Sequence, residues 1–357
     1  MIFQDAVPTA ALRAVKGACI APILACTLVT SAFGADLAGY DRFDFKADHR
    51  AGLVQASLWY PAGTSTYAAP VGDGPVFQPA RALIGAAIKP GHYPLVVLSH
   101  GSGGNMDGLG WLSSELAKDG AMVLAVNHPG STSGDSSPRR SARFAERVWD
   151  LSAALDHVLA TPDFVQHVDR DRIYALGFSL GGTTVLQGMG LEFRAKRLGD
   201  YCAENAEAPG CDFYGSGGVD FRKADFDLTD GNYRDTRYAG TIAVDPGFPF
   251  GFTEESIASM DKPALLINLG SQETIWWAVN VGDKGARLAE KLPNAEFVEI
   301  SPATHFSFLA ECKEAGPQIL RAEQDDPVCD EPQGVDRVDV HRRAVDAVSR
   351  FLAQAAP

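Results

Sequence analysis

The sequence predicts a doubly wound α/β domain built on one mostly parallel sheet, and two features carry that expectation. Short apolar runs rich in β-forming residues recur along the chain with helix-capable stretches between them; strands covered on both faces read as continuous apolar runs rather than alternating ones. No internal repeat, low-complexity tract, heptad run or long Pro/Ser linker divides the 357 residues, so one principal domain is the simpler organisation.

Residues 1–35 stand apart from that domain. Arg13 and Lys16 precede an uncharged, mostly apolar run over 17–35 that closes on Ser31-Ala32 and Gly34-Ala35. This is the layout of a secretory signal, since the run is near the lower length limit for a membrane span and Pro22 breaks it. Ile23-Leu24-Ala25-Cys26 also resembles a bacterial lipobox, which gives a second variant anchored through a lipid on Cys26. Either way the expected domain is 36–357, periplasmic or secreted, with no stable membrane span in the mature protein.

Within it, residues 54–60 alternate like an antiparallel edge strand ended by Pro61. Parallel strands are expected at 95–98, 122–126, 172–176, 241–244, 264–267 and 297–300. Helix-like stretches at 143–159, 183–189 and 285–292 lie between them, and an amphipathic run at 335–352 closes the chain. Strand, helix, strand repetition folds into a doubly wound sheet through right-handed crossovers. Residues 191–240 break the rhythm with Cys202, Cys211, several glycines and the acids Asp220, Asp225, Asp227, Asp230 and Asp235, and read as a cap-like insertion. Those acids lack the glycine spacing and terminal glutamate of an EF-hand, so they read as a solvated loop.

Composition narrows the partners. The chain is 46% hydrophobic and 21% charged, and 31 Lys and Arg against 45 Asp and Glu leave a formal charge of −14; that balance argues against nucleic acid or an anionic membrane as a partner. Six cysteines are present. If the signal is removed, Cys202, Cys211, Cys312 and Cys329 remain, and in an oxidising compartment two short-loop disulfides follow, Cys202 with Cys211 and Cys312 with Cys329. A zinc site lacks support, because no CxxC pair or closely spaced histidines accompany them.

The chemistry centres on Gly177-Phe178-Ser179-Leu180-Gly181-Gly182, where a strand runs into Gly-x-Ser-x-Gly and then into a helix. A serine at the tip of a sharp strand-to-helix turn is a candidate nucleophile, and only small flanking residues let the turn close. Residues 95–98 lead into a second glycine-rich loop, Ser99-His100-Gly101-Ser102-Gly103-Gly104-Asn105. Acyl transfer needs two donors aimed at the developing oxyanion, and the backbone amides of Leu180 and Ser102 are the expected pair. His100 is given no proton-transfer role. Of the eight histidines only His305 and His341 follow Ser179. His305, in a loop after the last expected strand, is the candidate general base; His341, beside Arg342 and Arg343, reads as a helix-face residue. His128 follows a strand end and is a candidate pocket residue. Two acids compete to orient the histidine: Asp245, directly at a strand end before Pro246-Gly247, is preferred, and Glu273, in the loop after the next strand, is the alternative.

These residues together resemble the α/β-hydrolase superfamily, and more narrowly bacterial dienelactone hydrolases and platelet-activating-factor acetylhydrolases, over roughly residues 53–309. The resemblance implies an α/β-hydrolase sheet and a triad in the order Ser179, Asp245, His305; in the acetylhydrolase branch the acid follows the strand after the nucleophile's helix, which maps onto Asp245. Dienelactone hydrolases carry a cysteine where this chain has Ser179, which argues away from a dienelactone substrate. The expected function is an exported serine hydrolase of carboxylic esters, esterase- or lipase-like, acting on a small-molecule ester or lipid-like substrate through an acyl-enzyme and without a cofactor or metal. An amidase or peptidase of the same fold, and an inert binding protein on a hydrolase scaffold, are the alternatives. Trp276 and Trp277 are candidates to line an acyl or alcohol pocket.

Overall fold

The computed structural model describes residues 37–223 and 228–355. The signal segment, the lipobox, Asp225 and Asp227 lie outside the described residues. The chain opens on an antiparallel pair, β1 (Gly39–Lys46) and β2 (Leu53–Tyr60), followed by β3 (Ala68–Val71) and β4 (Ala80–Ile84). The six expected parallel strands follow as β5 (Tyr93–Ser99), β6 (Met122–Val126), β7 (Val168–Phe178), β8 (Gly240–Val244), β9 (Ala264–Leu269) and β10 (Ala295–Ile300). All ten lie in one sheet, ordered β10-β9-β8-β7-β5-β6-β2-β1-β4-β3.

From β10 to β6 every neighbour is parallel, and β2 joins β6 antiparallel. The expected edge strand is therefore interior. Its polar residues suggested a wet face, yet β1 pairs along its free edge and Ser57 is buried with Ala56 and Leu58.

Helices close both faces. On one side pack α1 (Gly110–Lys118) and the C-terminal α6 (Arg337–Gln354); on the other, α2 (Phe144–Ala160) and α3 (Leu180–Gly188). The strands serve both layers by alternation, Leu95 and Val97 entering one core and Val96 and Leu98 the other. The helix expected at 285–292 shrinks to one turn, Leu288–Lys291, entered through Arg287 in the left-handed region at φ 55°. Among the described residues no helix is long and apolar enough to cross a membrane.

Between α3 and β8 lie α4 (Ala195–Glu204) and α5 (Cys211–Ser216), joined by the Cys202–Cys211 disulfide; Cys312 and Cys329 form the second. Strand order reverses between β5 and β7, which places the carboxyl ends of both at a topological switch point.

Candidate active site

Ser179 occupies the single residue between β7 and α3, with φ 55° and ψ −123°. A non-glycine residue persists there only when its surroundings over-determine it. Here they do: the Ser179 amide donates to the Val244 carbonyl at 2.9 Å, and the Ser179 carbonyl accepts from Gly182 at 2.8 Å and Gly247 at 2.9 Å. The glycines answer a three-way meeting of backbones. A Cβ on Gly177 would strike the Gly181 carbonyl, one on Gly181 would strike the Ser99 carbonyl, and one on Gly182 would stand 2.7 Å from Pro246 Cα.

Asp245 follows β8 and is fully buried, and His305 opens a short 3-10 turn after β10. His305 Nδ1 lies 2.9 Å from Asp245 Oδ2, and Nε2 lies 3.1 Å from Ser179 Oγ. A carboxylate only accepts, so Nδ1 carries the proton and Nε2 is left to accept from the serine hydroxyl. The other Asp245 oxygen, Oδ1, accepts from Asn268 Nδ2 and from the Leu269 amide, each at 2.9 Å. Asn268, itself buried, also donates to the Val279 carbonyl and accepts from the Val281 amide. The carboxylate is thus held from the neighbouring strand, through a residue that no sequence signal singled out.

The loop after β5 passes beside the serine: a Cβ on Gly101 would lie 3.1 Å from Ser179 Cβ. Ser102 is exposed on the following turn, and Leu180 is the first residue of α3, where amides have no partner within the helix. Beneath the loop is a buried polar cluster. His100 Nδ1 donates to the Gly101 carbonyl at 2.7 Å, and burial pushes its pKa well below the ordinary value. His128 does not line a pocket. It is fully buried, its Nδ1 donates to Asp150 at 3.0 Å and its Nε2 accepts from Ser99 Oγ at 2.9 Å; burial first, then the Arg147 charge, lowers its pKa to about 3.

Glu273 stands apart from this centre, exposed and paired with Lys284 at 2.6 Å, a hydrogen bond that lowers its pKa. His341 is on α6, as its setting suggested, and turned inward rather than to solvent.

Residues 94–189, from β5 through the turn that carries Ser179 into α3, match the family described as alpha/beta hydrolase fold. The chain has the α/β-hydrolase fold. A ferulic acid esterase from Streptomyces cinnamoneus shares it with a TM-score of 0.58 and 20% identity, over 90% of this chain and 91% of that one. A dienelactone hydrolase from Anabaena variabilis aligns at 12% identity and TM-score 0.46, over 89% of this chain and 99% of its own. No curated protein matches the chain.

Within this fold, aromatic rings surround His305. Phe178, buried, stacks on His305 with centroids 4.7 Å apart, and Trp276 lies 5.1 Å from it and 36% exposed. Trp277 stacks instead on Phe250 at 4.7 Å and on Tyr201 of α4 at 5.0 Å. The 191–240 insertion therefore reaches the loop after β9.

Proposed function

We propose that the protein is a serine hydrolase of carboxylic esters working through Ser179, His305 and Asp245. The observation that carries the reading is the unbroken hydrogen-bonded chain from Ser179 Oγ through both nitrogens of His305 to a buried Asp245. His305 Nε2 takes the serine proton as Oγ bonds to the ester carbonyl carbon. The amides of Leu180 and Ser102 receive the resulting oxyanion, and Asp245 stabilises the imidazolium and keeps its orientation. Collapse breaks the bond to the alcohol, which leaves with the proton from Nε2. Water, deprotonated by the same nitrogen, then attacks the acyl-enzyme and releases the acid.

Ester rather than amide chemistry is preferred, in keeping with the esterase named among the structures of this fold. An exported setting accords with the two disulfides and with the pattern of residues 1–35. The 191–240 insertion would then act as a cap over the substrate.

A fluorophosphonate probe and short p-nitrophenyl esters test the reading. Stoichiometric labelling at Ser179 and turnover that disappears in Ser179→Ala are expected. Turnover that survives Ser179→Ala, or no labelling of folded protein, overturns it in favour of another centre or an inert scaffold.

A further inference from the structure

The loop after β9 displays two adjacent tryptophans, Trp276 at 36% and Trp277 at 45% exposure, whereas Trp59 is fully buried. Large aromatic rings left open beside a candidate active site are expensive to keep in water and are the usual anchors of an apolar ligand. Trp276 lies 5.1 Å from the His305 ring and meets Phe306 edge-on at 5.3 Å. Trp277, the next residue, lies nearly parallel to Phe250 and Tyr201 at 26° and 25°. The rings thus form a ledge from the imidazole to α4.

The direction of proton transfer assigns the ledge to one half of an ester. When the tetrahedral intermediate collapses, the bond between carbonyl carbon and alcohol oxygen breaks and His305 Nε2 gives its proton to that oxygen. The alcohol oxygen must therefore sit within hydrogen-bond reach of Nε2, and its substituent extends over what borders the imidazole. On one flank that is Phe178, buried under the sheet's own packing. The flank open to solvent is Trp276, with Phe306 beside it.

Resting on the ester-hydrolase reading above, we propose that Trp276 and Trp277 form a leaving-group subsite for the alcohol portion of the substrate, selecting alcohols that carry a planar aromatic ring. A flat ring can stack on the indoles, whereas a methyl or ethyl group is too short to reach beyond the histidine. The acyl portion extends from the carbonyl carbon in a direction different from both the oxyanion and the alcohol oxygen, away from His305 Nε2, and gains nothing from the ledge.

The test compares benzyl acetate, methyl phenylacetate and methyl acetate as substrates. Within each variant the ratio of two kcat/KM values cancels any disturbance of the serine or histidine. In Trp276→Ala the benzyl acetate to methyl acetate ratio falls about tenfold, the scale of one lost aromatic contact with its buried area. The methyl phenylacetate to methyl acetate ratio stays within about twofold on the same reasoning, and Trp276→Phe recovers most of the benzyl preference. Equal falls in both ratios, or a fall confined to the phenylacetate ratio, overturn the assignment. A second readout does not need turnover: 4-nitrobenzyl alcohol should quench indole emission saturably in the wild type and much less in the Trp276→Ala, Trp277→Ala double variant. Lack of saturable quenching in the wild type overturns the subsite. Quenching retained in a protein that hydrolyses none of the three esters overturns the ester reading and leaves the aromatic site standing.

Discussion

His341 lies face to face with Trp111, their ring centroids 3.7 Å apart and their planes 8° from parallel. Each ring donates one hydrogen bond to the end of the turn that carries His305: Trp111 Nε1 to the Phe308 carbonyl at 3.1 Å, and His341 Nε2 to the Leu309 carbonyl at 2.9 Å. A histidine remote from Ser179 in sequence is thereby built into the support of the candidate base.

That support is sensitive to acid. Burial, followed in weight by the hydrogen bond to Leu309 that partly opposes it, leaves the His341 pKa lowered to about 4. The unfolded chain takes up its proton near the ordinary histidine value, so the folded state binds fewer protons between about pH 6.5 and 4. Stability is therefore full above that window and falls as pH drops through it, by about 3 kcal/mol for this residue. His128, lowered to about 3, acts in the same direction. Thermal unfolding measured from pH 7 to 4.5 should show a steep loss, and His341→Gln, which keeps a donor for Leu309 without a titrating ring, should show a shallower one. An unchanged slope would remove His341 from the account.

Asp245→Asn should lower kcat for a short p-nitrophenyl ester by several orders of magnitude at nearly constant KM. The neutral amide offers N–H as well as C=O to His305 and no longer favours the tautomer that leaves Nε2 free to accept. Glu273→Gln breaks only an exposed pair with Lys284 and should leave kcat within about twofold, as surface pairs contribute little. The reverse ranking would move the acid to the loop after β9.

Five of the six parallel strands were legible because each is covered on both faces where it reads as an apolar run; β10, at the sheet edge, showed only through Phe297, Val298 and Ile300, with Glu299 among them. β2 was misplaced at an edge because Gln55 and Ser57 mimic a wet face; what buries Ser57 is contributed by distant segments. Ser179, Asp245 and His305 could be picked out as candidates because each follows a strand end, and a strand end is visible locally. Asn268 could not, since its role depends on the pairing of β8 with β9, which sets Val244 opposite Ile267 and brings the next residues of both strands together. His128 misled for the same reason: a strand-end histidine looks like a pocket residue until Arg50 from the β1–β2 turn and Arg147 and Asp150 from α2 are assembled around it.

Arg147, on α2, makes a separate prediction about the loop that carries Ser102. Its guanidinium is fully buried and donates to Thr184 Oγ1 at 2.9 Å, Ser131 Oγ at 2.9 Å, Ser99 Oγ at 3.2 Å and the His100 carbonyl. Among the described residues no carboxylate lies within ion-pair distance of it, and burial lowers its pKa to about 9. One side chain thus ties the helix that follows Ser179 to the end of β5. Arg147→Met should cost about 3 kcal/mol through the acceptors it orphans. It should lower kcat more than KM, because the loop beside Ser179 is freed while the aromatic ledge is untouched. Retention of wild-type kcat in a variant with lowered Tm would confine Arg147 to stability.

The two disulfides should separate by their effects. Cys312 and Cys329 are 17 positions apart, and their loop returns Glu331 to accept from Ser307 Oγ at 2.9 Å, two residues from His305. Glu331 also pairs with Arg337 at the start of α6, and Arg337 donates to the Ala310 and Val328 carbonyls. Opening this loop releases chain entropy in the unfolded state, worth about 3 kcal/mol, and loosens the clamp on the histidine's turn. Cys312→Ser with Cys329→Ser should therefore lower Tm and kcat together. The bridge from Cys202 to Cys211 spans 9 positions and fixes α4, where Tyr201 stacks on Trp277. Its removal should lower Tm as well, while kcat for methyl acetate changes little and the preference for benzyl over methyl alcohol portions declines. Non-reducing peptide mapping establishes first that both bridges are present in native protein. Calorimetry and the ester panel on the two double variants then decide the rest: equal losses of kcat in both would mean that neither loop has a particular tie to His305.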